Sequence, residues 1–396
     1  MEEQTKERIR RFRLHSHHLD DWYPASLAEQ AAGACGLQNS PPGAWQTALY
    51  NRVQGLSLGQ MEQMLEEDKT LLQAWSFRGA PVVFPTAQSP VFLGALAARG
   101  GEEWIYTRGI QLALDRLHMP LEPLLALLCQ VLDRAEGQVW HSKTALDQDL
   151  ARQMLPLLPP GKEPVWNSPS PYGSPDKQTL GGAVVSFLLR PCSFLGRIVF
   201  GPRRQGSPTF APYRDWVGQV MDPGEAGERD LVRRYLHCYG PGAPGDLAAW
   251  LGCSTAQARR LWQLAAGQME PIRLEGKTRY LLAEDRPLYQ DPPAAKRPLV
   301  LLGAHDPYLD LRDRAVVLED KKRQRQVWQT VSNPGAIVWQ GEVVGLWRPR
   351  KKGAGLAVEG TLWAGPAGLE KDVAALAEAY GAFRQTPLGQ CTITRE

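Results

Sequence analysis

GDLAAWLGCSTAQARRLWQLAAGQMEPIRLEGKTRYLLAE, residues 245–284, is the stretch on which the fold turns. Its first part, GDLAAWLGCS, reads as a short helix closed at Gly252. Ser254 then stands where a helix N-cap belongs, and TAQARRLWQLAA (255–266) follows as a longer helix. A Gly at the corner and a capping Ser are the helix-turn-helix signature. From Met269 to Glu284 the residues fall into two alternating runs split by Glu275-Gly276, as in a β-hairpin. One more helix precedes them, EAGERDLVRRYLHCYGP (225–241), with Leu231, Tyr235 and Leu236 inward. Three helices and a ribbon make the outline of a winged helix, a unit that usually binds DNA through its second helix-turn-helix helix.

The same outline is readable twice upstream. Residues 4–15, 24–34 and 44–53 have helical spacing, the last with Trp45, Leu49 and Val53 on one side, and Ser57 opens a fourth helix. The extended segments LLQAWSF and APVVFP follow, joined at Arg78-Gly79. In the middle, helices are expected over 120–137, over 142–155 with Ser142 or Thr144 as cap, and over 180–189. A ribbon at 196–213 comes next, and 156–178 reads as an exposed loop rich in Pro, Ser and Gly. Beyond the Pro-rich linker 286–298 the period changes to two, which predicts a small β-barrel or sandwich, and a last helix is expected at 366–381. The expected class is therefore α+β: three tandem winged-helix units (1–100, 101–222 and 223–290), then a small C-terminal β-barrel with a terminal helix (291–396).

Composition narrows the function classes. The 396 residues are 43% hydrophobic and 22% charged, as in ordinary soluble domains, and no apolar run approaches the roughly 20 residues of a membrane span. The opening MEEQTKERIRRFRLH has no apolar core, so a cytoplasmic protein is expected. The net charge of +3 announces no global basic field, but the positive residues cluster, and a local patch matters more than the sum. Six cysteines stand singly, without the short spacings of a zinc site or redox dithiol, and read as reduced structural thiols. The run His15-Ser16-His17-His18 lacks further ligands at suitable spacing and reads as a partly exposed helix face; no metal or cofactor is expected. No phosphate loop, dinucleotide fingerprint, HExxH or GxSxG elbow is present.

Two kinds of residue carry the chemistry. One is the basic set available for phosphate contacts: Arg52, Arg78, Lys143, Arg203, Arg204, Arg259, Arg260, Lys277, and Arg350-Lys351-Lys352. Of these, Arg350-Lys351-Lys352 is the strongest candidate, because a basic hairpin tip has little structural purpose. The other is the polar corner in CGLQNSPPGAW (35–45), where Gln38, Asn39 and Ser40 stand between two helices. Such a corner is either a plain turn or a place where amides hold a water against a substrate.

The run GLQNSPPGAWQTALYNRVQGLS (36–57), then LEEDKTLLQAWSFRGAPVVFP (65–85), resembles the N-terminal signature of the AlkZ/YcaQ-type bacterial DNA glycosylases. There a GLQxQ or GLQxD loop precedes a helix ending in an Arg-x-x-Gly-Leu-like stretch, here Arg52 to Leu56. An Arg-Gly-Thr-x-His segment follows, here around Arg78-Gly79. YGPGAPGDLAAWLGCSTAQAR, LLGAHDPYL and GEVVGLWRPRKK extend the resemblance over nearly the whole chain. It implies a C-shaped DNA cradle of three winged-helix units and a barrel. It also implies hydrolysis of the N-glycosidic bond of N3- or N7-alkylated purines, in some members at interstrand crosslinks, by a monomer acting on damaged duplex DNA at the nucleoid. The resemblance assigns Gln38 to the first catalytic amide. The second catalytic position is Ser40 rather than Gln or Asp, and Ala80, Pro81 and Val82 replace the Thr-x-His. A lesion sensor or transcription regulator without catalysis is the alternative expectation.

Overall fold

The computed structural model describes residues 1–173 and 176–396, so part of the expected 156–178 loop lies outside the described residues. It is a mixed α+β structure in two compact units, each discontinuous in sequence. One contains Met1–Gln63, Val232–Leu247 and Ala265–Glu396; the other contains Met64–Leu231 and Ala248–Leu264. The block 223–290 contributes to both.

In the first unit, helix Glu3–Ser16 buries Ile9 and Phe12 completely. Helix Ala44–Tyr50 does the same with Trp45 and Leu49. The hairpin Met269–Leu274/Lys277–Leu282 turns at Glu275 (φ 48°) and Gly276 (φ 73°), the paired positive φ values of a twist-matched two-residue turn. The C-terminal strands hydrogen-bond in the order Leu388–Arg395, Gly355–Leu362, Glu342–Lys352, Gly335–Trp339, Leu299–Leu302. Leu299–Leu302 and Leu388–Arg395 are therefore edges, and the expected closure into a barrel is not found among the described residues. Leu388–Arg395 runs parallel to its neighbour and is not legible in the sequence. Its alternation is weak because it is an edge with mostly exposed side chains. Helix Leu369–Phe383 covers this sheet, sharing a core with Leu301, Ile337, Val344 and Trp347.

In the second unit, helices Leu121–Asp133, Lys143–Met154 and Leu180–Phe194 bury Leu128, Leu150 and Leu188 together. Ser142 caps the middle helix by accepting from Ala145 N. The third helix runs past its expected end and through Pro191, because Cys192 and Phe194 are fully buried and that burial outweighs one missing backbone bond. The ribbon Ile198–Arg204/Ser207–Pro212 brings Phe210 flat against Trp75, centroids 5.3 Å apart. Part of the expected loop is helical, at Leu155–Leu157 and Glu163–Trp166.

The turn between Leu71–Trp75 and Pro81–Pro85 is conformationally demanding. Arg78 has φ 57° and Gly79 φ 67°, and a Cβ on Gly79 would fall 2.6 Å from the Tyr106 ring. Gly79→Ala is expected to lower the unfolding free energy by about 2–3 kcal/mol, from left-handed strain plus the clash. Urea titration measures it, and a change below about 0.5 kcal/mol would mean that the ring moves aside at little cost.

Candidate active site

Leu37, fully buried, anchors the amide corner, and Gln38 beside it is 8% exposed. The corner then rises to the surface: Asn39 is half-buried and Ser40 exposed. The Gln38 amide donates a long hydrogen bond, 3.5 Å, to the Ser40 carbonyl. Asn39 Oδ1 accepts from Gly43 N at 2.7 Å, so this side chain shapes the turn that starts helix Ala44–Tyr50. Gly43 takes φ 88° as the N-cap, a conformation that favours glycine.

The helix behind the corner is fixed to the C-terminal sheet. Arg52 is 1% exposed, and its guanidinium donates to both oxygens of Asp306 at 2.9 and 2.8 Å and to the Ala48 carbonyl at 2.7 Å. Burial opposes its charge, but Asp306 outweighs burial and holds the guanidinium pKa above its usual value. Asn51 donates to the Leu301 carbonyl at 2.8 Å, and Tyr50 stacks on Phe383 at 4.2 Å. Thr47 and Tyr380 share a hydroxyl hydrogen bond of 3.3 Å.

These attachments define a cleft of ≈ 270 Å³. Pro41, Pro42 and Gly43 form one side; Arg348, Arg350 and Arg384 bring guanidinium groups to it, over a floor including Thr47, Trp347 and Tyr380. Among the described residues no carboxylate lines it. The volume is just below the roughly 300 Å³ at which pockets for drug-sized ligands begin, so it suits a small group rather than an extended molecule. Arg384 is oriented by a relay: its Nη1 donates to Gln46 Oε1 at 3.0 Å, and Gln46 Nε2 donates to Glu62 at 3.3 Å. Sequence reading missed Gln46, Tyr380 and Arg384. Gln46 lies on the same helix as the amide corner's exit, which is a local signal; nothing local marks Arg384.

A sequence profile of proteins described as DNA glycosylase AlkZ-like matches residues 31–383. The chain belongs to the AlkZ-like DNA glycosylase family. Its members are hydrolases of N-glycosyl bonds in DNA, and the matched span holds the amide corner and every cleft residue except Arg384. Among solved structures, Streptomyces sahachiroi DNA glycosylase AlkZ is similar, with a TM-score of 0.75 and 18% identity over 98% of each chain. No curated protein gives a significant sequence match.

The AlkZ-like fold separates the expected phosphate-binding residues by what surrounds them. Arg350, Lys351 and Lys352 are exposed at the end of strand Glu342–Lys352, with Lys352 Nζ 3.0 Å from Gln390 Oε1. They and the amide corner share the first unit, and Arg350 reaches the cleft. Lys277 is exposed in the same unit. Arg52 is the clear departure from expectation, because its charge is enclosed with Asp306. In the second unit Arg204 and Arg259 are exposed. Arg260 is held by Glu102 and Glu228 at 2.8 and 2.7 Å, Lys143 by Asp147 at 2.5 Å, and Arg203 by Glu66 at 3.1 Å. Arg78 donates to the Trp250 carbonyl at 2.6 Å and lies over Phe77. For these four the surroundings supply a structural partner. The histidine run also differs from its reading: His17 and His18 are buried, at 1% and 7% exposure, and burial pushes the His18 pKa down to about 4.

Proposed function

We propose that this chain releases cationic N3- or N7-alkylated purines from damaged duplex DNA, acting as a monomer, with the cleft beside residues 38–43 as its active site. The observation that carries this reading is that the segment directly following the family's amide corner, Pro41–Ala44, lines a cleft whose only charged lining residues, among those described, are three arginines. Guanidinium groups hold the phosphates flanking a lesion. A cationic purine becomes neutral as it leaves, so the reaction needs little general acid. What remains is a placed water and support for the developing sugar cation, the work carboxylates do in ordinary glycoside hydrolysis. Gln38 and the exposed Ser40 hydroxyl orient the water by proximity. Asn39 acts as a positioning residue, through its bond to Gly43. The three helix-and-ribbon groups are winged-helix units in this proposal, and Arg204, Arg259 and Lys277 supply further backbone contacts.

The direct experiment incubates purified protein with duplex DNA carrying N7-methylguanine and counts abasic sites. Release well above the spontaneous rate supports the proposal. Ser40, which stands where the family carries Gln or Asp, favours a second reading, lesion binding without cleavage. Spontaneous-rate release with retained salt-dependent binding selects that one.

The basic strand end makes its own prediction. Replacing Arg350 and Lys351 by alanine is expected to flatten the slope of log K against log salt by about 0.9 for each phosphate no longer neutralised, roughly 2 in total. An unchanged slope in a fluorescence-anisotropy series removes this strand end from the DNA interface.

A further inference from the structure

Four of the six cysteines, remote in sequence, meet in pairs: Cys129 with Cys192 and Cys35 with Cys238, each pair close enough for a thiol hydrogen bond. The second pair has a histidine beside it. His17, Cys35 and Cys238 are all buried, and their ligand atoms lie within 4.8 Å of one another. His17 Nδ1 is 3.6 Å from Cys35 Sγ. In tetrahedral zinc, with Zn–S near 2.3 Å and Zn–N near 2.0–2.1 Å, the N···S edge works out at about 3.6 Å and the S···S edge at about 3.8 Å. The observed edge already has the first value, and drawing in the widest one takes roughly 1 Å at most.

The histidine is prepared for this. Its Nε2 is 3.1 Å from the Cys238 carbonyl, an acceptor only, so the ring proton sits on Nε2 and the Nδ1 lone pair faces the thiols. Such a carbonyl-oriented tautomer is the usual support of a metal-bound imidazole. The Tyr239 hydroxyl, 3.8 Å from Cys35 Sγ and donating to the Pro307 carbonyl, borders the remaining side. Charge also fits: one divalent cation and two thiolates sum to zero, which a closed interior tolerates far better than a bare thiolate.

We infer that His17, Cys35 and Cys238 form a structural site for a thiophilic divalent cation of the Zn²⁺ type, tying helix Glu3–Ser16, helix Glu225–Tyr239 and the root of the amide corner together. Binding replaces two S–H protons by two metal–sulfur bonds and releases both protons to solvent. Cys35 lies three residues before Gln38, so the cation steadies the corner from beneath without touching its chemistry. This inference does not depend on the proposed reaction.

The test uses the full chain. Protein purified from zinc-supplemented culture is expected to hold about one zinc per chain by elemental analysis. Apoprotein titrated with Cd²⁺ is expected to show thiolate-to-cadmium charge-transfer absorption saturating at one equivalent, with about two protons released. Cys35→Ser and Cys238→Ser should lower cadmium affinity at least tenfold, while Cys129→Ser should leave it unchanged. If the serine variants fail to fold, X-ray absorption at the zinc edge of the wild type still decides, with two sulfur ligands and one imidazole expected. The inference is overturned by wild-type protein that holds no zinc and shows no cadmium–thiolate band, by a Cys35–Cys238 disulfide in the isolated protein, or by unchanged affinity in Cys35→Ser.

Discussion

Gln38→Ala is expected to slow release of N7-methylguanine from duplex DNA by about 10²-fold, close to 2.7 kcal/mol of transition-state stabilisation, while DNA affinity changes less than twofold. The amide is held almost wholly inside the protein, 8% exposed, against the fully buried Leu37, so its side chain has few alternative directions. Truncation removes an oriented group rather than a mobile one, and the effect falls on kcat rather than KM. Ser40→Asp works in the opposite direction. A carboxylate at this exposed position can accept a proton from the water and stabilise the sugar cation, as in glycoside hydrolysis, and a rate increase of about tenfold is expected. Single-turnover kinetics on one labelled lesion measure both. A Gln38→Ala enzyme that keeps more than half the wild-type rate would show the corner to be only a turn.

Arg52→Ala is expected to destabilise the first unit by about 3–5 kcal/mol, a fall in melting temperature of roughly 6–20 °C. The reason is the partner left behind. The Asp306 side chain is fully buried, and without the guanidinium its charge has neither solvent nor counterion. Arg52→Met combined with Asp306→Leu should cost less than the two single changes summed, because the double variant leaves no unpaired charge. Chemical denaturation of the four proteins measures this cycle. A change under about 1 kcal/mol for Arg52→Ala would show that Asp306 is readily resolvated, returning Arg52 to the phosphate-binding set. Because Arg52 ends the segment that carries the amide corner, the same variant should also lose release activity at temperatures where it is still folded.

Most of the local structure is legible in the sequence. Helical spacing locates Glu3–Ser16, Leu121–Asp133 and Thr255–Ala265 within a few residues, and Glu275-Gly276 and Ser142 announce a turn and a cap. These features arise from interactions within a few residues, so the order of amino acids contains all the information needed. Strand Leu388–Arg395 escapes because an exposed edge leaves little hydrophobic pattern. Helix Leu180–Phe194 outruns its expected end because burial overrides the preference of Pro191.

What the amino-acid order determined unaided is the family outline, the amide corner at 38–40 and the inventory of positive charges. Which charges can meet a phosphate was decided only by tertiary structure. Arg52 and Arg350 are the same residue type, the first alone in an otherwise uncharged stretch and the second within the basic run Arg348–Lys352. One finds Asp306, 254 positions away, and is enclosed with it; the other stands at a strand end beside an arginine-lined cleft. The meeting of His17 with Cys35 and Cys238 has the same character, since residue type sets what a side chain can bind, and the partner that reaches it through the fold sets what it does bind.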